Sequence, residues 1–115
     1  MSGKTMKQMV LSANGGRCGY CGNIVSEDDV HIDHMIPKIK GGKSTFSNYM
    51  AACCKCNTSK GKKDVDEFRL LQMIKESKFS GVINPRQWIE LMDRGVVIDL
   101  PIVTFHFETR QGGAL

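Results

Sequence analysis

Several features are scarce in this chain of 115 residues. Aromatic residues make up 7%, with one Trp, two Tyr and five Phe. A domain this small buries only about two-thirds of the surface its unfolded chain exposes, so few large anchors leave room for a staple of another kind. No apolar run approaches the roughly 20 residues that a bilayer crossing needs, which excludes a spanning helix. The stretch from Met1 to Asn14 lacks the apolar core of about 7–15 residues that marks a secretory signal. A cytoplasmic protein without a membrane partner is therefore expected. Acidic residues are absent from one segment altogether. Between Met35 and Lys63 there is no Asp or Glu, while Lys38, Lys40, Lys43, Lys55, Lys60, Lys62 and Lys63 all fall there. The net charge of +4 understates this local field, which suits a polyanion.

Against those scarcities, hydrophobic residues at 41% and charged residues at 24% are ordinary for a folded domain. Five cysteines stand out. Four form the pairs Cys18-Gly-Tyr-Cys21 and Cys53-Cys54-Lys55-Cys56. Without a secretory signal a disulfide framework is the weaker reading, and no βαβ pattern surrounds either pair to favour a redox dithiol. Two such knuckles can present four thiolates to one tetrahedral Zn²⁺. A Cys₄ set leaves no open coordination position, so the expected metal is structural. Gly19 and Gly22 are expected to supply the positive φ that a tight knuckle needs. Cys54 is the odd thiol and is expected to be a small packed side chain.

The insert between the knuckles carries the other chemistry-bearing residues. Val30 to His34 alternates apolar and polar, the period of a half-buried strand, with His31 and Asp33 on one face. Pro37 and Gly41-Gly42 break the chain into a loop ending near Asn48. Tyr49 to Ala52 reads as a returning strand that delivers Cys53, and Asn57 to Lys63 as the opening of a short helix. The order is strand, long loop, strand, helix, with a metal clamped across the ends.

Asp33-His34-Met35-Ile36-Pro37, Gly41-Gly42, Asn48, Cys53, Cys56, Asn57 and Lys60 together resemble the HNH endonuclease pattern, the zinc-containing form of the ββα-metal (His-Me finger) nucleases. The run Gly15 to Gly22 is similar to the first knuckle of that family, and the resemblance covers about residues 4 to 63. Beyond Lys63 the chain bears a likeness to the C-terminal extensions of small phage-type HNH proteins. The resemblance implies an α+β fold with a small ββα core, and hydrolysis of phosphodiester bonds in DNA by nicking or double-strand cleavage.

In that chemistry a water is deprotonated, the phosphorane charge is neutralised and the leaving 3′-oxygen is stabilised. His34 is the expected general base, since an ordinary imidazole is free to take a proton at neutral pH. Asp33 would offer a hard carboxylate oxygen to a catalytic Mg²⁺ or Mn²⁺. By resemblance, Asn57 would be the second ligand, and Asn48 would bond across the loop and hold the His34 ring. Lys60, one helical turn past Asn57, is expected on the same phosphate, with Lys38, Lys62 and Lys63 as further DNA contacts. His31 departs from the acidic residue the family often shows there, and a metal or phosphate contact and a plain strand-surface role are both open.

The remaining sequence reads as scaffold. Val65, Phe68, Leu71 and Ile74 recur at helical spacing to about Lys78, with Asp64 as N-cap. Asn84-Pro85 opens a second helix closed by Gly95. Val96 to Phe107 is expected to be β-like, with His106 facing solvent, and Arg110 to Leu115 to fray. Lys4 to Ala13 is expected to be a short helix. One domain over 1–115 is expected, with a motif core at about 15–63 and an extension at about 64–110. Two alternatives stay open: a zinc-stapled nucleic-acid-binding module without cleavage, and a branched-DNA resolvase, which would want a dimer. A protein partner or a homodimer is left undetermined.

Overall fold

The computed structural model describes the backbone of residues 3–113 and the side chains of residues 3–109. Helix α1, Met6–Ala13, begins where Thr5 and Gln8 form a reciprocal capping box. A turn through Cys18 to Gly22 follows, flanked by a bridge between Arg17 and Ile24. Strand β1, His31–His34, pairs antiparallel with β2, Tyr49–Ala52, in the register His31 to Ala52 through His34 to Tyr49. The loop between them carries 3₁₀ turns at Lys38–Lys40 and Phe46–Asn48. Helix α2, Cys54–Lys60, runs directly out of β2. Then come α3, Val65–Lys75, α4, Pro85–Asp93, and α5, His106–Gly113. This is the expected α+β architecture with a ββα centre.

The chain divides into two compact units. Residues up to Asp64 and those from Thr104 onward form one, and Val65–Val103 form the other. In the first, α1 packs on the β1–β2 hairpin, and Val10, Val30, Met50, Ala51 and Ala52 are buried. Gly19 is required by close approach rather than by φ: a Cβ there would strike the Met50 side chain. Gly22, by contrast, does adopt a positive φ of 80°. In the second unit α3 packs with α4. Phe68 and Ile74 are buried, and α4 opens on an Asn84–Gln87 capping box with Pro85 in its first turn.

Four expectations about elements need correction. Helix α2 starts at Cys54 and not at Asn57, because Cys53 is its N-cap and its sulfur accepts from Cys56 N–H at 3.4 Å. Helix α3 stops at Lys75, short of Lys78. The β-like run from Val96 forms no strand among the described residues. Its apolar, β-branched composition lacks a partner edge, and Pro101 has no N–H to give one. The segment is pinned instead by single bonds, from Trp88 Nε1 to Ile98 O at 3.4 Å and from Arg69 to Val103 O at 3.0 Å. The expected frayed tail is helical to Gly113, while Ala114 and Leu115 lie outside the described residues. No helix among the described residues is long and apolar enough to cross a membrane.

Candidate functional site

The two C-x-x-C turns converge. The Sγ atoms of Cys18, Cys21, Cys53 and Cys56 all lie within 4.8 Å of one another. Local backbone geometry sets them there. Cys18 N–H donates to Asn23 O at 2.9 Å and Gly22 N–H to Cys18 O at 3.0 Å, closing the first turn. The α2 N-terminus sets the second. Cys18 is fully buried and its thiol is pushed down to about 4, by a hydrogen bond from Cys56 and by backbone bonds at Cys21, Cys53 and Tyr20. The same contact, with burial, pushes the Cys56 thiol up, and burial raises Cys21. Four mutually facing thiols that cannot all ionise alone are a donor set that fits a tetrahedral metal such as zinc. Cys54 is exposed on α2 and outside the cluster, so its expected packed role is corrected.

The strand end holds a second cluster. Asp33 is buried, with 5% of its surface exposed. Tyr20 O–H donates to its Oδ2 at 2.5 Å. Lys60 Nζ stands 3.1 Å from both Oδ1 and Oδ2, and also donates to His34 O at 2.8 Å. Burial raises the Asp33 carboxyl, and the bond from Tyr20 and the charge of Lys60 oppose that rise. The buried carboxylate thus has a counter-charge and its hydrogen bonds, the condition for tolerating it at all. The phenol of Tyr20 is itself pushed well up by burial and by the Asp33 charge, so it stays protonated and able to donate.

Lys60 therefore does not stand on the surface that helix spacing predicts for it. Its side chain has no exposed surface, and its ammonium faces inward to β1. It is an internal counter-ion, not a contact for DNA phosphate. Helix periodicity places Lys60 and Asn57 on one face, and that face turns toward the strand. Asn57 is half-buried in the middle of α2, one turn before Lys60. Lys38 and Lys62 are exposed, and Lys63 is half-buried, with its ammonium donating to Ser59 O at 3.4 Å. Lys40, Lys43 and Lys55 are also exposed, with Lys40 4.0 Å from Asp64.

His34 is half-buried at the end of β1. Its ring meets Tyr49, its cross-strand partner, edge to face at 5.2 Å. Its Nε2 lies 3.3 Å from Ser44 Oγ. Asn48 holds the loop and not the ring. Its amide accepts from Ile36 N–H and donates to Ile36 O and Lys43 O, each at 2.9 Å. Ser44 and Tyr49 touch the imidazole, and no spacing or motif signal points to either. Gly42 belongs to the same staple, since a Cβ there would collide with Ile36 O. His31 is exposed at the start of β1, opposite Ala52. His106 does not face solvent on a strand. It opens α5, half-buried, with its ring within 3.2 Å of where a Gly22 Cβ would stand.

A carboxylate beside an imidazole on an antiparallel hairpin, with a crossing helix and a four-thiol clamp, is the arrangement of a ββα metal-site fold. Residues 18–63 match the model of the HNH endonuclease family, so the resemblance read in the sequence holds over that segment. Over 46 residues the chain is 37% identical to the CRISPR-associated endonuclease Cas9 of Corynebacterium diphtheriae, covering 39% of this chain and 4% of that protein. Its fold is similar to part of the crystal structure of the Type II-C Cas9 enzyme from Actinomyces naeslundii. There the TM-score is 0.52 and the identity 24%, over 60% of this chain and 8% of that one. The chain thus spans only a small fraction of either relative's length.

Proposed function

We propose that the protein is a metal-dependent DNA endonuclease, with a structural zinc on Cys18, Cys21, Cys53 and Cys56. The observation that supports this reading best is His34, carried at a strand end inside the segment that matches the HNH endonuclease model. In the tautomer we propose, Nε2 carries the proton and donates it to Ser44 Oγ, which leaves Nδ1 to take a proton from water as general base. Tyr49 limits the ring's rotation, and Asn48 keeps the loop that carries Ser44 closed.

The donors for a catalytic divalent ion are hard oxygens. Tyr20 donates to Asp33 Oδ2 and Lys60 to Oδ1, so each oxygen keeps one acceptor position. The Asp33 carboxylate and the Asn57 amide oxygen would hold Mg²⁺ or Mn²⁺, which when bound would stabilise negative charge on a phosphate. The nearby Lys60 charge makes this a weak site. Lys38, Lys62, Lys40 and Lys43 supply the surface field that attracts DNA without reading sequence. Lys60 has no part in that contact. The place of action we propose is the cytoplasm.

Supercoiled-plasmid nicking with Mg²⁺, Mn²⁺, Zn²⁺ or EDTA tests this reading. Cleavage in Mg²⁺ or Mn²⁺ that EDTA stops is the expected result. Protein that binds plasmid yet stays inert with every metal would leave a zinc-stapled binding module in its place.

A further inference from the structure

Tyr20 lies between two metal-ligand cysteines, yet its hydroxyl leaves the knuckle and ends on Asp33 Oδ2. Its ring is held from the other side by the C-terminal part of the same unit. Phe105 meets it edge to face at 5.1 Å and Phe107 at 6.1 Å, while those two rings stack at 6.2 Å. The backbone adds His106 N–H donating to Tyr20 O at 3.0 Å and Phe107 N–H to Gly19 O at 2.8 Å. Phe105 is buried with the tyrosine. A segment some 40 residues beyond the matched motif thus fixes one side chain, and that side chain fixes the carboxylate next to His34.

A carboxylate can turn about its Cβ–Cγ bond, and its two oxygens are equivalent until something distinguishes them. Here the O–H of Tyr20 distinguishes them. It donates to Oδ2, while the hydrogen bond from Lys60 goes to Oδ1, so the plane of the carboxylate is fixed through both oxygens. We propose that Tyr20, seated by Phe105 and Phe107, is a positioning residue for Asp33 that fixes the carboxylate plane presented to a divalent cation. The proposal rests on the nuclease reading only for the reaction that the cation serves. It makes the C-terminal segment part of the site's geometry, outside the residues that match the family model.

Tyr20→Phe in the full chain is the test, because it keeps the ring and its aromatic contacts and deletes only the hydroxyl. Mn²⁺ affinity is read by the electron paramagnetic resonance of the free ion, beside zinc content, melting, DNA affinity and nicking against Mg²⁺ concentration. The expected result is a five- to tenfold weaker Mn²⁺ affinity and a matching rise in the Mg²⁺ needed for cleavage. Zinc should stay at one per chain and the KM for DNA should be unchanged. Phe105→Leu should shift Mn²⁺ affinity in the same direction by a smaller factor. Unaltered Mn²⁺ affinity in Tyr20→Phe would overturn the proposal and leave the nuclease intact. Parallel loss of zinc, melting temperature and DNA affinity would overturn it in favour of a purely structural tyrosine. Wild type that binds no Mn²⁺ would overturn it as well. Wild type that binds Mn²⁺ more tightly than Tyr20→Phe, yet cuts no DNA, would uphold the positioning and retire the nuclease reading.

Discussion

The hairpin region and the helical excursion are held together by different physics. From Cys18 to Lys60 the chain gathers four thiols and buries a carboxylate and an ammonium, with Asp33 and Lys60 almost wholly removed from water. From Val65 to Val103 the buried side chains among the described residues are Phe68 and Ile74, and the polar contacts, such as the α4 cap, the exposed Arg86–Glu90 pair and side-chain bonds to single backbone carbonyls, are local. Polar burial in the first region is tolerated because every partner is in place, so removing one leaves the others stranded. Apolar burial in the second degrades by increments. The first region should therefore fail sharply and at named residues, and the second gradually.

The largest difference should come from the thiols. Cys18→Ser or Cys56→Ser should remove the metal and unfold the hairpin region at ordinary temperature, since metal-binding free energy is folding free energy in so small a site. Cys54→Ser, one residue from a ligand, should change stability by about 0.5 kcal/mol or less. Metal analysis with thermal melts measures both, and equal damage at Cys54 would mean the ligand set is wrong.

His34→Ala comes next and should separate chemistry from folding. Cleavage should drop by about 10²–10⁴-fold, while zinc content and DNA affinity stay near wild type. Plasmid nicking at fixed protein concentration reads the rate. Activity that survives the change would retire His34 as the base.

Lys60 and Lys62 offer a sharper contrast within one short stretch. Lys60→Met leaves Asp33 buried without its counter-charge and should cost about 3–5 kcal/mol. Its pH dependence has a definite sign. Lys60 opposes the burial-driven rise at Asp33, so without it the folded-state value climbs further above the unfolded one. The defect should be small below pH about 4 and grow as pH rises through the raised value. Lys62→Ala should leave the melt alone and reduce the salt dependence of DNA binding by about one counterion. If both lysines changed the salt slope equally, the inward placement of Lys60 would be wrong.

The smallest effect belongs to the excursion. Asn84→Ala removes the cap of α4 and should cost about 1 kcal/mol. Amide exchange in the first turn of α4 should accelerate, with metal content and nicking unchanged.

The ββα order was legible because its signals are local. Alternation over Val30 to His34, the break at Gly41-Gly42 and the paired thiols each act over a few residues, and β2 forms at Tyr49–Ala52 as expected. The apolar spacing of α3 and the Asn84-Pro85 start of α4 were legible for the same reason. The run from Val96 forms no strand because β-branched composition measures willingness to pair and does not supply a partner.

The sequence by itself determined the metal knuckles, the hairpin, and His34 beside Asp33, since spacing along the chain is enough to place each of these. Only the tertiary structure decided what the polar side chains touch. It turned Lys60 inward to Asp33, sent Asn48 to the Ile36 backbone, and brought Ser44 and Tyr49 to the His34 ring. It also carried Phe105 back to Tyr20 across the length of the chain. The reason is physical: whether a lysine reaches solvent or a buried carboxylate depends on which charge lies within about 3 Å of it after folding, and no periodicity records that distance.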